Sequence, residues 1–344
     1  MKKQRKWLAP VAFLALVAIT VLVVAGQSKT FTAEGFLEYI GTVKPWGLAA
    51  AVGCTLLYVF FEGQALLVLC RALGYRPRAY RGVLYSAADI YFSAITPSAT
   101  GGQPASALLI MGDGIPGAMS TVILLLNLAM YNLALMGASL AGLLLWPGVL
   151  GAFDTPAHLL IALGAGLHLA LIAGIFLLVL SDKLFLKVIN LFLHLGQKLH
   201  ILKNAEARRE KLMEIENDYR ACAGELAHRK IALFHALLLN IGQRVATTLV
   251  PVVLYVAAGG PARDMGRMFS IQIMAVLGSN SVPIPGAVGV ADYLFLNGYG
   301  ALIEDPTNLE MLSRTITFYS CVLLCGLILL GSFFLKKHQG SETE

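Results

Sequence analysis

Charge is scarce in this sequence. Asp, Glu, Lys and Arg together make up 13% of its 344 residues, against roughly 25% in a soluble domain. Several runs of 20 to 30 residues are almost uncharged, and each is long enough to cross a bilayer core of ~30 Å. That shortage excludes a soluble enzyme and a nucleic-acid binder. Cysteine is also sparse: Cys54, Cys70, Cys222, Cys321 and Cys325 include no Cys-x-x-Cys pair, which excludes a disulfide scaffold. Cys321 and Cys325 share a helix face, but no His or carboxylate stands beside them at zinc spacing. No metal site and no cofactor are expected. Catalytic signatures are missing too, with no Gly-x-Ser-x-Gly elbow, no P-loop and no His-Glu-x-x-His. Any transport therefore runs downhill or is coupled to an ion or proton gradient.

What the chain does have is apolar residues, at 57%. Its start is basic, and the apolar stretch from Leu8 to Ala25 exceeds the ~7–15 residues of a secretory signal, so it reads as an uncleaved first span. Full spans are expected at 7–25, 45–73, 117–146, 157–181, 231–258 and 310–335. Two further stretches are broken in the middle. The first, 83–111, is interrupted from Thr96 to Pro104 by two prolines and two glycines; the second, 267–297, is interrupted from Gly278 to Gly286 by Pro283 and Pro285. Proline removes a backbone donor and clashes with the preceding turn, so neither stretch continues as one straight helix. Each half, at 1.5 Å per residue, is too short to span alone.

Loop charge sets the topology. With both broken stretches re-entrant, 20 of the 26 Lys and Arg fall on the cytoplasmic side, and only Lys29, Lys44, Arg263 and Arg267 lie outside. The net charge of +6 is thus loop charge near lipid. The expected architecture is an all-α polytopic membrane protein with a single domain over 1–344, six full spans and two opposed re-entrant hairpins. Both termini are cytoplasmic, with a tail at 336–344, in the cell membrane. Opposed hairpins are the plan of an inverted repeat, with binding near the midplane.

The one sizeable aqueous piece, 182–230, carries 17 of the 46 charges. Leu212, Ile215, Tyr219, Cys222 and Leu226 form an apolar stripe along its second half. It reads as an amphipathic connector under the membrane domain, or as a docking face at 204–230 for a cytoplasmic partner.

Non-helical backbone at membrane depth is tolerated only where protein or a water-filled cavity satisfies it. Two breaks therefore imply an internal polar chamber. The half-helix ends offer free N–H groups suited to phosphate, which points to Gly101, Gly102 and Gln103 in the first break and to Gly286 and Gly289 in the second, with Pro285 beside them in the same candidate site. An ionisable side chain at the bilayer centre costs at least ~2.5 kcal/mol, so those present carry information. Arg244 lies mid-span with Asn240 and Gln243 close by, and is expected to line the chamber and meet a phosphate or a paired acid. Glu62 and Asp89 could meet a cationic group. Asp292 and Arg314 read first as a structural ion pair, His168 as a packing residue, and Asn127 and Asn132 as hydrogen bonds between helices. Tyr58, Tyr91, Tyr131, Tyr255 and Tyr319 read as packing or belt residues.

Two segments carry a resemblance. Ile95-Thr96-Pro97-Ser98-Ala99-Thr100-Gly101-Gly102-Gln103-Pro104, before a long span, resembles one signature of the transmembrane, flippase-like region of lysylphosphatidylglycerol synthase. Val282-Pro283-Ile284-Pro285-Gly286-Ala287-Val288-Gly289-Val290-Ala291-Asp292, with Arg314 in the following span, resembles another. Ala287 and Asp292 stand where the family usually has glycine and glutamate, and Ala105 and Ser106 where a basic residue often follows the Gly-Gly pair. The resemblance covers about 8–335 and implies movement of a phospholipid, lysyl-modified or otherwise, between leaflets, a step tied to cationic peptide resistance. A chain of this family without the aminoacyl-transferase domain could instead serve lipid aminoacylation beside a separate transferase. A third reading of the same hairpins is an ion- or proton-coupled transporter of small solutes. Oligomerisation stays open.

Overall fold

The computed structural model describes residues 33–96, 101–181, 187, 229–282, 287 and 289–341. Among these every regular element is helical: α1 (Ala33–Thr42), α2 (Pro45–Ala72), α3 (Ala79–Ile95), α4 (Gly102–Gly112), α5 (Gly117–Leu145), α6 (Thr155–Leu180), α7 (Lys230–Ala257), α8 (Met265–Ser279), α9 (Val290–Tyr299), α10 (Thr307–Arg314) and α11 (Cys321–Ser341), with short 3₁₀ turns and a π-helical turn at Thr315–Ser320. Five helices are long and apolar enough to cross a membrane: α2, α5, α6 (Thr155–Leu178), α7 and the continuous run Thr307–Phe333. They match five of the six expected spans. The sixth, 7–25, lies outside the described residues, as does nearly all of the connector 182–230. The last helix continues through the expected tail to Ser341.

Local signals explain several starts. Pro45 opens α2, where its missing N–H would have no partner anyway. Asp154 caps α6 by accepting the Ala157 N–H at 2.9 Å. Helix α1, a short amphipathic piece ahead of α2, was not foreseen.

The outward faces are apolar. Leu144 and Leu145 on α5, Leu159, Leu163 and Leu177 on α6, Ile231 and Phe234 on α7, and Leu327 and Leu330 on α11 are all exposed. Exposure of that many large side chains suits hydrocarbon and not water. Between helices, small residues permit close approach. A Cβ on Gly63 of α2 would meet the backbone of Gly82 on α3, and Gly47 of α2 leaves no room beside Ala257 at the far end of α7. Helices α2 and α7 are antiparallel, as the Lys44 N–H bond to the Ala257 carbonyl (3.0 Å) requires.

The two broken stretches form helix hairpins. In the first, α3 and α4 fold back on each other, and their outer ends are joined by Arg81 Nε to Asp113 Oδ2 at 2.5 Å. Tyr85 adds its hydroxyl to the same carboxylate. In the second, Tyr299 at the end of α9 donates its hydroxyl to the Met268 carbonyl near the start of α8, at 3.2 Å. The first pair opens beside the beginning of α5, which follows Asp113 directly. The second opens beside the end of α5, where Gly266 meets Trp146. The inner ends of these helices thus face each other from opposite ends of one long helix.

Candidate functional site

Where the inner ends of the hairpin helices approach, they leave a cavity of about 720 Å³. Of the expected site residues, Glu62, Asp89, Gln103, Arg244 and Arg314 line it. Asp292 stands immediately behind Arg314. Pro285 and Gly286 lie outside the described residues, and Gly101, Gly102 and Gly289 do not line the space.

Arg244 is the central feature. It projects from the middle of α7 and is only 6% exposed. Its guanidinium lies over the ring of Tyr131, 4.4 Å from the centroid, a cation–π arrangement that strengthens away from water. Its Nε and Nη2 are buried and find no hydrogen-bond acceptor. A buried cation with unused donors is costly, and the cavity is where a partner would lie.

The acids sit across from it. Glu62 accepts from Gln243 Nε2 at 3.1 Å. Asp89 accepts from Gln103 Nε2 at 2.9 Å and from the Ser93 hydroxyl at 3.5 Å. The carboxyls of Glu62 and Asp89 are within hydrogen-bonding contact of each other. Gln243 is 1% exposed, and its Oε1 has no donor; Gln272 Oε1 on the α8 wall is likewise buried without one.

The half-helix ends depart from expectation. Sequence reasoning assigned the α4 terminus to a lipid phosphate. Instead the Asp89 carboxylate of α3 packs against Gly102, where even a Cβ would strike it, and the Gly101 N–H donates to Thr96 Oγ1 at 2.8 Å. The fold-back of α3 onto α4 brings an internal anion to the positive end of the helix dipole. At the second hairpin, Asp292 accepts the Gly289 N–H at 2.9 Å and caps α9. Gly289 has φ +86°, a conformation natural to glycine. A carboxylate of the chain itself thus stands at each terminus, and among the described residues Arg244 is a buried cation at the cavity with donors unused.

Arg314 forms the ion pair expected with Asp292 and a second one with Glu310, one turn earlier, at 3.3 Å. All three are buried. Glu310 was missed, although its four-residue offset from Arg314 is the spacing of a helical ion pair. The next turn is π-helical and turns Thr317 and Phe318 to the cavity; such turns recur at functional sites. Asn127 and Asn240 join α5 to α7 at 3.0 Å. Asn132, by contrast, donates to Leu128 of its own helix. His168 bonds the Gly164 carbonyl one turn back at 2.7 Å, as a packing residue would. Tyr58 and Tyr131 line the cavity, contrary to their reading as packing or belt residues.

Fold and site define a multi-pass helical membrane protein with a charged cavity between two opposed helix hairpins. The chain belongs to the family described as the lysylphosphatidylglycerol synthase TM region, whose model matches residues 8–325. No curated protein and no solved structure matches it.

Proposed function

We propose that this protein moves a phospholipid between leaflets, its headgroup passing through the chamber while the acyl chains stay in the bilayer. Family membership fits a membrane role in lysylphosphatidylglycerol handling, and flippase-like translocation is the form of that role the chamber supports best. In this reading the α3–α4 and α8–α9 pairs are re-entrant hairpins, both termini are cytoplasmic, and the bilayer is the cell membrane. Arg244 holds the phosphate, and Glu62 and Asp89 face the cationic part of a lysyl-type headgroup. One observation carries the proposal: a deeply buried guanidinium, stacked on Tyr131, with two nitrogens unsatisfied at a cavity wall.

The test is leaflet exchange of fluorescent phosphatidylglycerol in proteoliposomes, read by an impermeant quencher. Adding the protein is expected to bring inner-leaflet lipid within reach of the quencher. A charge-assisted hydrogen bond contributes roughly 1.5–3 kcal/mol, so Arg244→Ala should slow exchange by about tenfold to a hundredfold. Exchange that protein does not accelerate, or that Arg244→Ala leaves at full rate, would count against the proposal.

A further inference from the structure

Two carboxyl groups in hydrogen-bonding contact need something between them. Ionised oxygens only accept, so a bond between Glu62 and Asp89 exists only if one of them carries a proton; without it, like charges at this distance repel. Neither acid is paired with a cation among the described residues. Each is instead held by neutral donors, Gln243 for Glu62, and Gln103 and Ser93 for Asp89.

The groups facing the pair are identifiable on every side. Tyr58 comes from α2, Tyr131 from α5, Arg244 from α7, and Cys321 and Cys325 from α11. Arg314 lines the same cavity, already matched to Asp292 and Glu310, and His168 approaches Arg244 from α6. Tyrosine and cysteine are ordinarily neutral near pH 7. The balance of charge beside the pair is thus set by Arg244. With one shared proton, the pair's single negative charge offsets Arg244.

A second observation, separate from the acids, points to a ligand. Gln243 Oε1 and Gln272 Oε1 are buried acceptors with no donor, while Arg244 Nε and Nη2 are buried donors with no acceptor. The cavity therefore asks for a molecule that donates on one side and accepts on the other. A headgroup with both an ammonium and a phosphate does this. Its ammonium would compete with the shared proton for the same two carboxyls.

Building on the lipid-translocation reading, we propose that Glu62 and Asp89 form a proton site that an ammonium-bearing headgroup empties, so that each headgroup is exchanged for a proton. When the ammonium binds, the proton leaves the carboxyl oxygen for water; when the headgroup departs, a proton from the other side restores the pair. At the carboxyls one positive charge replaces another, and the phosphate that the headgroup brings to Arg244 is offset by the second ammonium of a lysyl headgroup, so the chamber's net charge is unchanged. A divalent metal is a poorer occupant: among the described residues no group of three His, Cys, Asp or Glu is placed to hold one.

The experiment uses the full chain in liposomes of phosphatidylglycerol containing a few per cent lysylphosphatidylglycerol. Outer-leaflet amine is read with an impermeant amine reagent, and internal pH with a trapped dye. With the interior one pH unit more acidic, protons leaving should draw the amine lipid inward. At one-for-one exchange the limit is a tenfold asymmetry, since one unit corresponds to about 1.4 kcal/mol. A protonophore should abolish the asymmetry, and Glu62→Gln, which retains a partner for Gln243, should no longer produce it. If lipid equilibrates between leaflets without responding to the pH gradient, or responds to a sodium gradient instead, the exchange is overturned while the translocation reading stands. If Glu62→Gln still concentrates the lipid, the site is misassigned and the inference fails. If protein moves no lipid under any gradient, the translocation reading falls and the exchange falls with it.

Discussion

Arg244 and Tyr131 show how one buried charge is made tolerable. The ring stabilises the guanidinium by about 0.5–2 kcal/mol when water is excluded, far less than full solvation would. The remainder falls to a ligand, to Glu62 nearby, or to water in the cavity. The ring face and not the phenol hydroxyl carries this contact, so two substitutions should separate. Tyr131→Phe should preserve leaflet exchange to within about threefold. Tyr131→Leu should lower it by roughly threefold to thirtyfold, in line with the loss of a partly desolvated cation–π contact. Proteoliposome exchange rates for the two variants check this; equal losses would assign the effect to the hydroxyl.

Residue by residue, the sequence was legible where chemistry alone decides. A charge inside an apolar run has few explanations, and that marked Glu62, Asp89, Arg244, Asp292 and Arg314. It was illegible where two distant segments supply the answer. That Asp89 packs against the start of α4 depends on the fold-back of α3, and nothing local to Gly101 or Gly102 reports it. Aromatic residues carried the same ambiguity. Tyr131 stands under Arg244 only because α5 and α7 pack together, joined by Asn127 and Asn240.

At the scale of elements, helix ends are where this fold uses its carboxylates. Asp89 meets α4, Asp292 caps α9, and Asp154 caps α6 while tying it to the second hairpin. The Tyr293 hydroxyl donates to Asp154 Oδ1 at 2.5 Å, and the Asp154 N–H donates to Asn297 Oδ1 at 3.0 Å. The Tyr293 hydrogen bond, followed by the Ala157 N–H, holds the Asp154 carboxyl below its ordinary value. A depressed folded-state value means that the contribution is complete above the unfolded value of about 3.9 and is lost as pH falls through the folded one. Amide exchange at Thr155, Ala157 and His158 should therefore accelerate on acidification below about pH 4, relative to the rest of α6. Asp154→Ala should show the accelerated exchange already at neutral pH. A flat response in the native chain would mean that the cap contributes nothing.

The breaks themselves were legible, because clustered proline and glycine end helices wherever they occur. The expected interruptions at Thr96–Pro104 and Gly278–Gly286 coincide with the gaps between α3 and α4 and between α8 and α9. The edges were less accessible. Helix α4 already begins at Gly102, so Pro104 lies within its first turn, where its missing N–H costs little. The π turn after Arg314 left no trace in an apolar segment, since an extra residue in a helical turn changes side-chain direction and not composition.

For the whole molecule, the central idea is a division of solvents. Leucines and phenylalanines cover the outside of α5, α6, α7 and α11, while Glu62, Asp89, Arg244 and Arg314 turn to the cavity between the two helix hairpins. In the translocation reading such a body offers a lipid two environments at one depth, hydrocarbon outside and a polar hollow within. The most direct measurement places a photo-crosslinking residue either at Thr247, on the cavity wall, or at Leu238, exposed on the outside of the same helix. The reconstituted protein is then illuminated with phosphatidylglycerol isotopically marked in the headgroup or in an acyl chain, and the crosslinked fragments are read by mass spectrometry. The account predicts headgroup adducts at Thr247 and acyl-chain adducts at Leu238. Acyl-chain adducts at Thr247, or headgroup adducts confined to Leu238, would contradict it.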